Sequence, residues 1–291
     1  DVFYDDSAKL RYQAEWFNAD GTPWFSETLR YGFLSGDKTV QISSDYADDL
    51  LDTKTVAAAG TYGVKVSNLK TGEVIFQGKF KVNKIQTFPG EARYKNLFEF
   101  YVDNDWSLPV GYVGFDYSTL GSDTPQPSVF MWFKGILKAD DFEARLLRNG
   151  QEIASTDEGG SKITAQERSG NCLRFIDACQ YYLWQFYWQN FAVDTGRIAR
   201  QNVYYSYPKR KFSNDLQGEY TVKIFYKGLQ VREANFTIDS QGRIAQNAFS
   251  NQIYLTNYKI AVPVKVSGTL DKWNAPNWKT EMFYGNPLSG F

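Results

Sequence analysis

Three groups of residues in this chain have types and spacings that could do chemistry. The first is acidic: Asp140-Asp141 with Glu143, the triplet Asp103-Asn104-Asp105, and Asp45, Asp48, Asp49 and Asp52. Two carboxyl groups about 5 to 10 Å apart can cleave a glycosidic bond, and a denser set of hard oxygen ligands can hold calcium. Neither of the last two clusters has the central glycine and closing glutamate of an EF-hand loop. With 33 acidic residues, chance pairs are expected, so these groups read as solvated surface and no catalytic residue is assigned. The second group is the aromatic row in NCLRFIDACQYYLWQFYWQNFAV, residues 171–193. There Tyr182, Trp184 and Trp188 could stack on sugar rings while neighbouring amides bond hydroxyls. The third is the chain's cysteine pair, Cys172 and Cys179.

What is missing narrows the chemistry further. The chain contains no histidine. Imidazole is the usual general base near neutral pH and a common metal ligand, so Ser-His-Asp, Cys-His and most zinc and haem chemistries are excluded. Two thiolates alone leave a zinc site half made, and no metal or cofactor is expected. No phosphate-binding loop, dinucleotide fingerprint or hydrolase nucleophile motif occurs. The expectation is a non-enzyme. Lys and Arg number 32 against those 33 acidic residues, which leaves no bulk field for nucleic acid or anionic lipid. The densest basic run, Pro208-Lys209-Arg210-Lys211, reads as a solvated loop.

The elements that must position these groups read as strands. Written as a strand, the row puts Tyr182, Trp184, Phe186 and Trp188 on one face and Tyr181, Leu183, Gln185 and Tyr187 on the other. A helical stripe of Tyr181, Trp184, Trp188 and Phe191 is also possible, and aromatic enrichment favours the strand. On that reading the rings either fill a core, the commoner fate, or form a ligand platform. The uncharged run 178–193 is too short and too amide-rich to span a membrane, which takes about 20 mostly apolar residues. The cysteines lie too far apart along a regular element to bond, since a helix would separate their Cα atoms by about 10.5 Å and a strand by about 23 Å. A disulfide tolerates about 7 Å at most. A Cys172–Cys179 bridge, expected for an exported domain, therefore requires a tight loop at LRFIDA.

A repeat organises the rest. Residues 60–82, GTYGVKVSNLKTGEVIFQGKFKV, match residues 218–238, GEYTVKIFYKGLQVREANFTI. Gly60, Tyr62, Val64, Lys65 and Val66 correspond to Gly218, Tyr220, Val222, Lys223 and Ile224, and beyond the turn Gly72, Phe80 and Val82 correspond to Gly228, Phe236 and Ile238. Both copies alternate apolar and polar residues around a glycine turn, the pattern of an antiparallel hairpin with one buried face. This hairpin resembles the closing hairpin of bacterial immunoglobulin-like domains, a likeness of fold that carries no activity. Upstream of each copy, AEWFNADGTPWF and EARLLRNGQEIAS set Asp-Gly or Asn-Gly between strand-like runs, the chemistry of tight hairpin turns.

The expected architecture is all-β: two tandem immunoglobulin-like β-sandwich domains, residues 1–87 and 88–245, joined near Thr87-Phe88-Pro89-Gly90. The second is longer between its early and late hairpins, which places an aromatic-rich insertion near 158–190. Residues 246–291 add one strand, YKIAVPVKV, whose Pro263 suggests a sheet edge. An irregular aromatic segment follows, with Trp273, Trp278, Phe283, Tyr284 and Phe291 spaced among Gly, Pro and Asn. Too rich in rings to float in water, that segment is expected to dock on a partner or on its own domains. The opening Asp1-Val2-Phe3 suits a processed, extracytoplasmic protein. These readings converge on a structural or interaction subunit of a surface or envelope assembly, with protein partners. A glycan-binding module using the aromatic row to hold a polysaccharide is the second expectation, and a carboxylate-based glycan hydrolase the third.

Overall fold

The computed structural model describes residues 12–33, 40–44, 54–88, 90–115, 127–157, 162–170, 179–188, 193–194, 211–212, 216–248, 250, 259–268 and 270. These residues are nearly all β, and no helix among them is long and apolar enough to cross a membrane. The chain divides into two compact units, which part at Asp103/Asn104. The Thr87–Gly90 stretch, read from sequence as the joint, connects two strands of one sheet within the first unit.

The first unit's described strands are β1 (Tyr12–Phe17), β2 (Pro23–Phe33), β3 (Val40–Ser44), β4 (Gly60–Asn68), β5 (Val74–Gln86) and β6 (Phe98–Val102). They form one antiparallel sheet in the order β3-β2-β1-β4-β5-β6. Alternation puts Ala14, Tyr62, Val64, Phe80 and Val82 on a single buried face, flanked by half-buried Trp16, Trp24 and Phe100. The β1–β2 turn closes as Asp-Gly chemistry dictates: Gly21 takes φ 83°, and Asp20 accepts hydrogen bonds from the backbone N–H and the hydroxyl of Thr22.

The second unit contains β7 (Val110–Phe115), β8 (Pro127–Lys134), β9 (Phe142–Arg148), β10 (Gln151–Ser155), β11 (Lys162–Gly170), β12 (Gln180–Tyr187), the short pair β13 (Val193–Asp194) and β14 (Lys211–Phe212), then β15 (Gly218–Tyr226), β16 (Leu229–Ile238) and β17 (Lys259–Val266). Nine strands run in the order β10-β9-β15-β16-β17-β7-β8-β12-β11. Lettered in chain order with β13 and β14 set aside, β7 to β16 give A-B-E-D on one side of β17 and C′-C-F-G on the other, the strand order of the immunoglobulin sandwich. The two halves face one another. Phe142 of β9 lies 4.7 Å from Trp184 and 5.7 Å from Phe186 of β12, and 5.0 Å from Phe133 of β8. Trp184, Phe186 and Trp188 with Val129, Met131 and Phe133 thus close against Ala144, Leu146, Val222, Ile224 and Ala234. Residues 162–170 and 180–187, within the stretch read as an insertion, supply strands D and E of the sandwich itself.

The repeated hairpin is present in both units with the same geometry. Tyr62 pairs with Phe80 as Tyr220 pairs with Phe236, and Gly60 with Val82 as Gly218 with Ile238. Each ladder carries a bulge at the same place, leaving Ile75 and Val231 unopposed, and each hairpin pairs on its other side with the earlier one, Ala14 opposite Val66 and Ala144 opposite Ile224. Each tyrosine stacks on its phenylalanine and donates its hydroxyl to a carbonyl four residues upstream, Ala58 and Leu216 respectively. That bond is the tyrosine corner, which fixes the entry of strand F. In the second copy the turn needs two residues, Lys227 and Gly228, both with positive φ (50° and 78°), as a type I′ turn demands.

Pro263 has a different meaning from the edge strand expected of it. The β17 strand lies between β7 and β16, pairing with β7 over Lys259–Pro263 and with β16 over Val264–Val266. Val264 N donates to Pro109 O on the β7 side, and successive N–H groups of a strand point to opposite edges, so the donor that Pro263 lacks would have faced β16. The β16 ladder stops there: its next pair would have been Asn235 with Pro263. The proline marks where the strand passes from one half of the sandwich to the other.

Candidate functional site

The aromatic row sits on β12, in the middle of sheet A-B-E-D between β8 and β11. Trp184 and Trp188 are 5% and 2% exposed, and every residue of Gln180–Tyr187 is buried except Tyr182, which is half-buried. The ring faces a sugar would need are already occupied by Phe142 and its neighbours, and Trp188 Nε1 donates to Ala144 O at 3.0 Å. The opposite face of β12 is buried as well, with Tyr181, Leu183, Gln185 and Tyr187 inside, and Gln185 Nε2 bonded to Ser128 Oγ at 2.9 Å. Stacking a glycan on Trp184 or Trp188 would require prising the two sheets apart.

The carboxylates do not converge. Asp141 Oδ2 accepts a hydrogen bond from Tyr226 OH at 3.0 Å and lies 3.6 Å from Lys227 Nζ. Burial, and then the bond to Asp141, holds the Tyr226 hydroxyl above its ordinary pKa. Glu143 pairs with Arg145, whose guanidinium also approaches Glu152 at 3.8 Å and covers the Phe225 ring. Asp140 stands exposed. In the triplet, Asp103 accepts from Asn83 Nδ2 at 2.7 Å within the first unit. Asp105 accepts from Lys134 Nζ and Tyr181 OH, both at 2.7 Å, within the second. Its two carboxylates are thus bound to different partners. Among the described residues no group of three or more acidic or cysteine side chains is placed to hold a metal ion. Asp45, Asp48, Asp49 and Asp52 lie outside the described residues.

Cys179 is fully buried just ahead of β12. Cys172 lies outside the described residues, and so do Trp273, Trp278, Phe283, Tyr284 and Phe291 of the C-terminal segment.

Two features escaped the sequence reading. Arg232 is wholly buried on the inner side of β16: Nη1 donates to Val231 O, Nη2 to Trp132 O, and the guanidinium lies 4.2 Å from the centre of Phe133. Burial pushes its pKa down to about 9. The signal was in the alternation, because Arg232 shares its parity with Ala234, Phe236 and Ile238.

The second feature is a set of aliphatic side chains on the surface. Leu229, beside the β15–β16 turn, is 72% exposed. That turn is tied to the β8–β9 loop by Lys227 N donating to Asp141 O, and the same loop holds Ile136, 51% exposed. The corresponding turn of the first unit shows Leu69, Val74 and Ile75, all exposed. Turn positions ordinarily favour polar residues and glycine, so aliphatic exposure at both copies of one hairpin is a departure that sequence polarity alone did not flag. No family model matches this chain, and no curated protein matches it.

Proposed function

We propose that the chain is a non-catalytic structural or interaction subunit of an extracytoplasmic assembly. The observation that carries this reading is the repeated one: the hairpin that the two units share, β4–β5 in the first and F–G in the second, holds exposed aliphatic residues, Leu69, Val74 and Ile75 in the first and Leu229 in the second. Exposed apolar groups gathered at loop ends are what protein partners cover, and in immunoglobulin-type folds the F–G turn belongs to the end that variable domains use for binding. The aromatic C-terminal segment, with Trp273, Trp278, Phe283, Tyr284 and Phe291, is assigned to the same role as a docking element. Export and the Cys172–Cys179 bridge belong to the same proposal, since an oxidising compartment would keep that bridge closed. Burial of Trp184 and Trp188 weighs against the glycan platform.

The test is the native mass, by light scattering behind a gentle size separation of the unfractionated extract. A mass several times 33.4 kDa supports the assembly, and a mass equal to one chain overturns it. Deleting residues 268–291 should lower that mass while leaving the strand content of the chain unchanged.

A further inference from the structure

The eight strands β7–β12, β15 and β16 already complete the immunoglobulin order, and β17 arrives after them. It fills the seam between strand A (β7) and strand G (β16), and no other described strand joins the two halves. Without it, β7 and β16 would each present a row of unpaired N–H and C=O groups, which is a template for another strand. The seam is shaped for this sequence. Ala261, Val262 and Val264 are buried, and Gly111 opposite them has no room for a side chain: a methyl group there would lie 2.7 Å from Val264 Cγ2 and 3.1 Å from Phe130 O.

The hold on β17 is nonetheless divided. Five of its residues pair with β7, three pair with β16, and the proline removes the donor at the crossover. Twenty residues, 239–258, separate β16 from β17. The first of them fold back on β16, where Ile244 bridges to Ile238 and Ala245 N donates to Thr237 O, which leaves residues 246–258 to reach a neighbour, about 43 Å if fully extended. Every other copy of the chain carries the same strand, so a seam filled from a neighbour makes the same contacts as one filled from within, and only connector entropy and concentration distinguish the two.

We propose that β17 is an exchangeable closing strand, and that in the assembly the seam between β7 and β16 is filled by residues 259–266 of a second copy of this chain. The proposal rests on the assembly reading and names one contact within it, beside the exposed hairpin turns. Tyr112 and Ala261 face each other across β7 and β17. With Val264 and Pro109 as a hydrogen-bonded pair, Tyr112 and Ala261 form a non-hydrogen-bonded one, whose side chains are close enough for a disulfide. Two singly substituted full-length chains, Tyr112→Cys and Ala261→Cys, would be co-expressed with distinguishable tags and oxidised beside the parent chain, and their native mass measured.

A covalent dimer carrying both tags, absent from either variant alone and from the parent, is the expected result, since only a strand seated in trans can form it. A multimeric native mass with no such dimer, together with an intrachain bridge in the doubly substituted chain, overturns the exchange and leaves the assembly standing. A mass of one chain removes the assembly and the exchange together. Should either substitution prevent folding, Gly114→Cys with Lys259→Cys probes the same register two residues away.

Discussion

Trp188 illustrates how a single residue is committed to the fold. Its ring is buried and its indole N–H is bonded across the sandwich to Ala144 O, which also accepts from Thr156 N, so truncation opens a cavity and removes one hydrogen bond without leaving the carbonyl unpaired. Trp188→Ala and Trp184→Ala should each cost about 3–5 kcal/mol, read as a shift in the urea midpoint. A glycan-platform residue would instead leave the midpoint in place and abolish ligand binding. Arg232 gives a prediction of the opposite kind. Its pKa, pushed by burial well below the ordinary guanidinium range to about 9, means that the folded state binds this proton less tightly than the unfolded chain does. The cost of burying the charge is therefore fully present below about pH 9 and is relieved as pH rises from there toward the unfolded value. Arg232→Met removes this contribution, so the parent should gain stability relative to the variant between about pH 8 and pH 10. Paired denaturant titrations at the two pH values read the sign directly. A gap that stays constant would mean that the guanidinium keeps its proton throughout this range.

At the scale of elements, the hairpin shared by the two units makes matched predictions. Tyr62→Phe and Tyr220→Phe each delete one tyrosine-corner hydrogen bond while keeping the ring stacked on its phenylalanine. Each should cost about 1 kcal/mol, and by closely similar amounts, measured as unfolding free energies of the two variants. The repeat was legible because its information is local: glycine turns, period-two alternation and the Asp20-Gly21 and Asn149-Gly150 turns all act within a few residues. Alternation failed where burial is decided from outside the strand. It divided β12 into an aromatic face and a mixed face, yet Gln185 is as deeply buried as Phe186, because the amide finds Ser128 on the neighbouring strand, 57 residues earlier in the chain. Pro263 misled for a related reason. Its missing donor says that one ladder must be interrupted, but whether that interruption lies at a sheet edge or at a crossover depends on which strands flank it. The candidate site was less legible still, since by residue type Leu69, Val74, Ile75 and Leu229 do not differ from the buried apolar residues of the same hairpins, and only their places at and beside the turns put them in solvent.

For the whole molecule, the question is which forces would hold copies or partners together. The chain has a net charge of −1, so long-range attraction between subunits has little to draw on, and the exposed groups at the turns of the shared hairpin are aliphatic. Association through them would be driven by apolar burial and should survive salt, because screening acts on charge pairs and leaves apolar contacts intact. Raising the ionic strength from about 0.1 M to 1 M, where the Debye length falls from about 10 Å to 3 Å, is expected to leave the native mass unchanged. Replacing the aliphatic side chains should not. Burying a leucine is worth about 1.5–3 kcal/mol, which corresponds to a weakening of about tenfold or more when Leu229 is changed to Ser. Leu69→Ser tests the same turn in the first unit. Both side chains stand in solvent within the chain, so the variants should keep the parent's unfolding midpoint while their native mass falls at concentrations where the parent remains assembled. Dissociation by salt with no response to either leucine would transfer the contact to charged surface and away from the hairpin that the two units share.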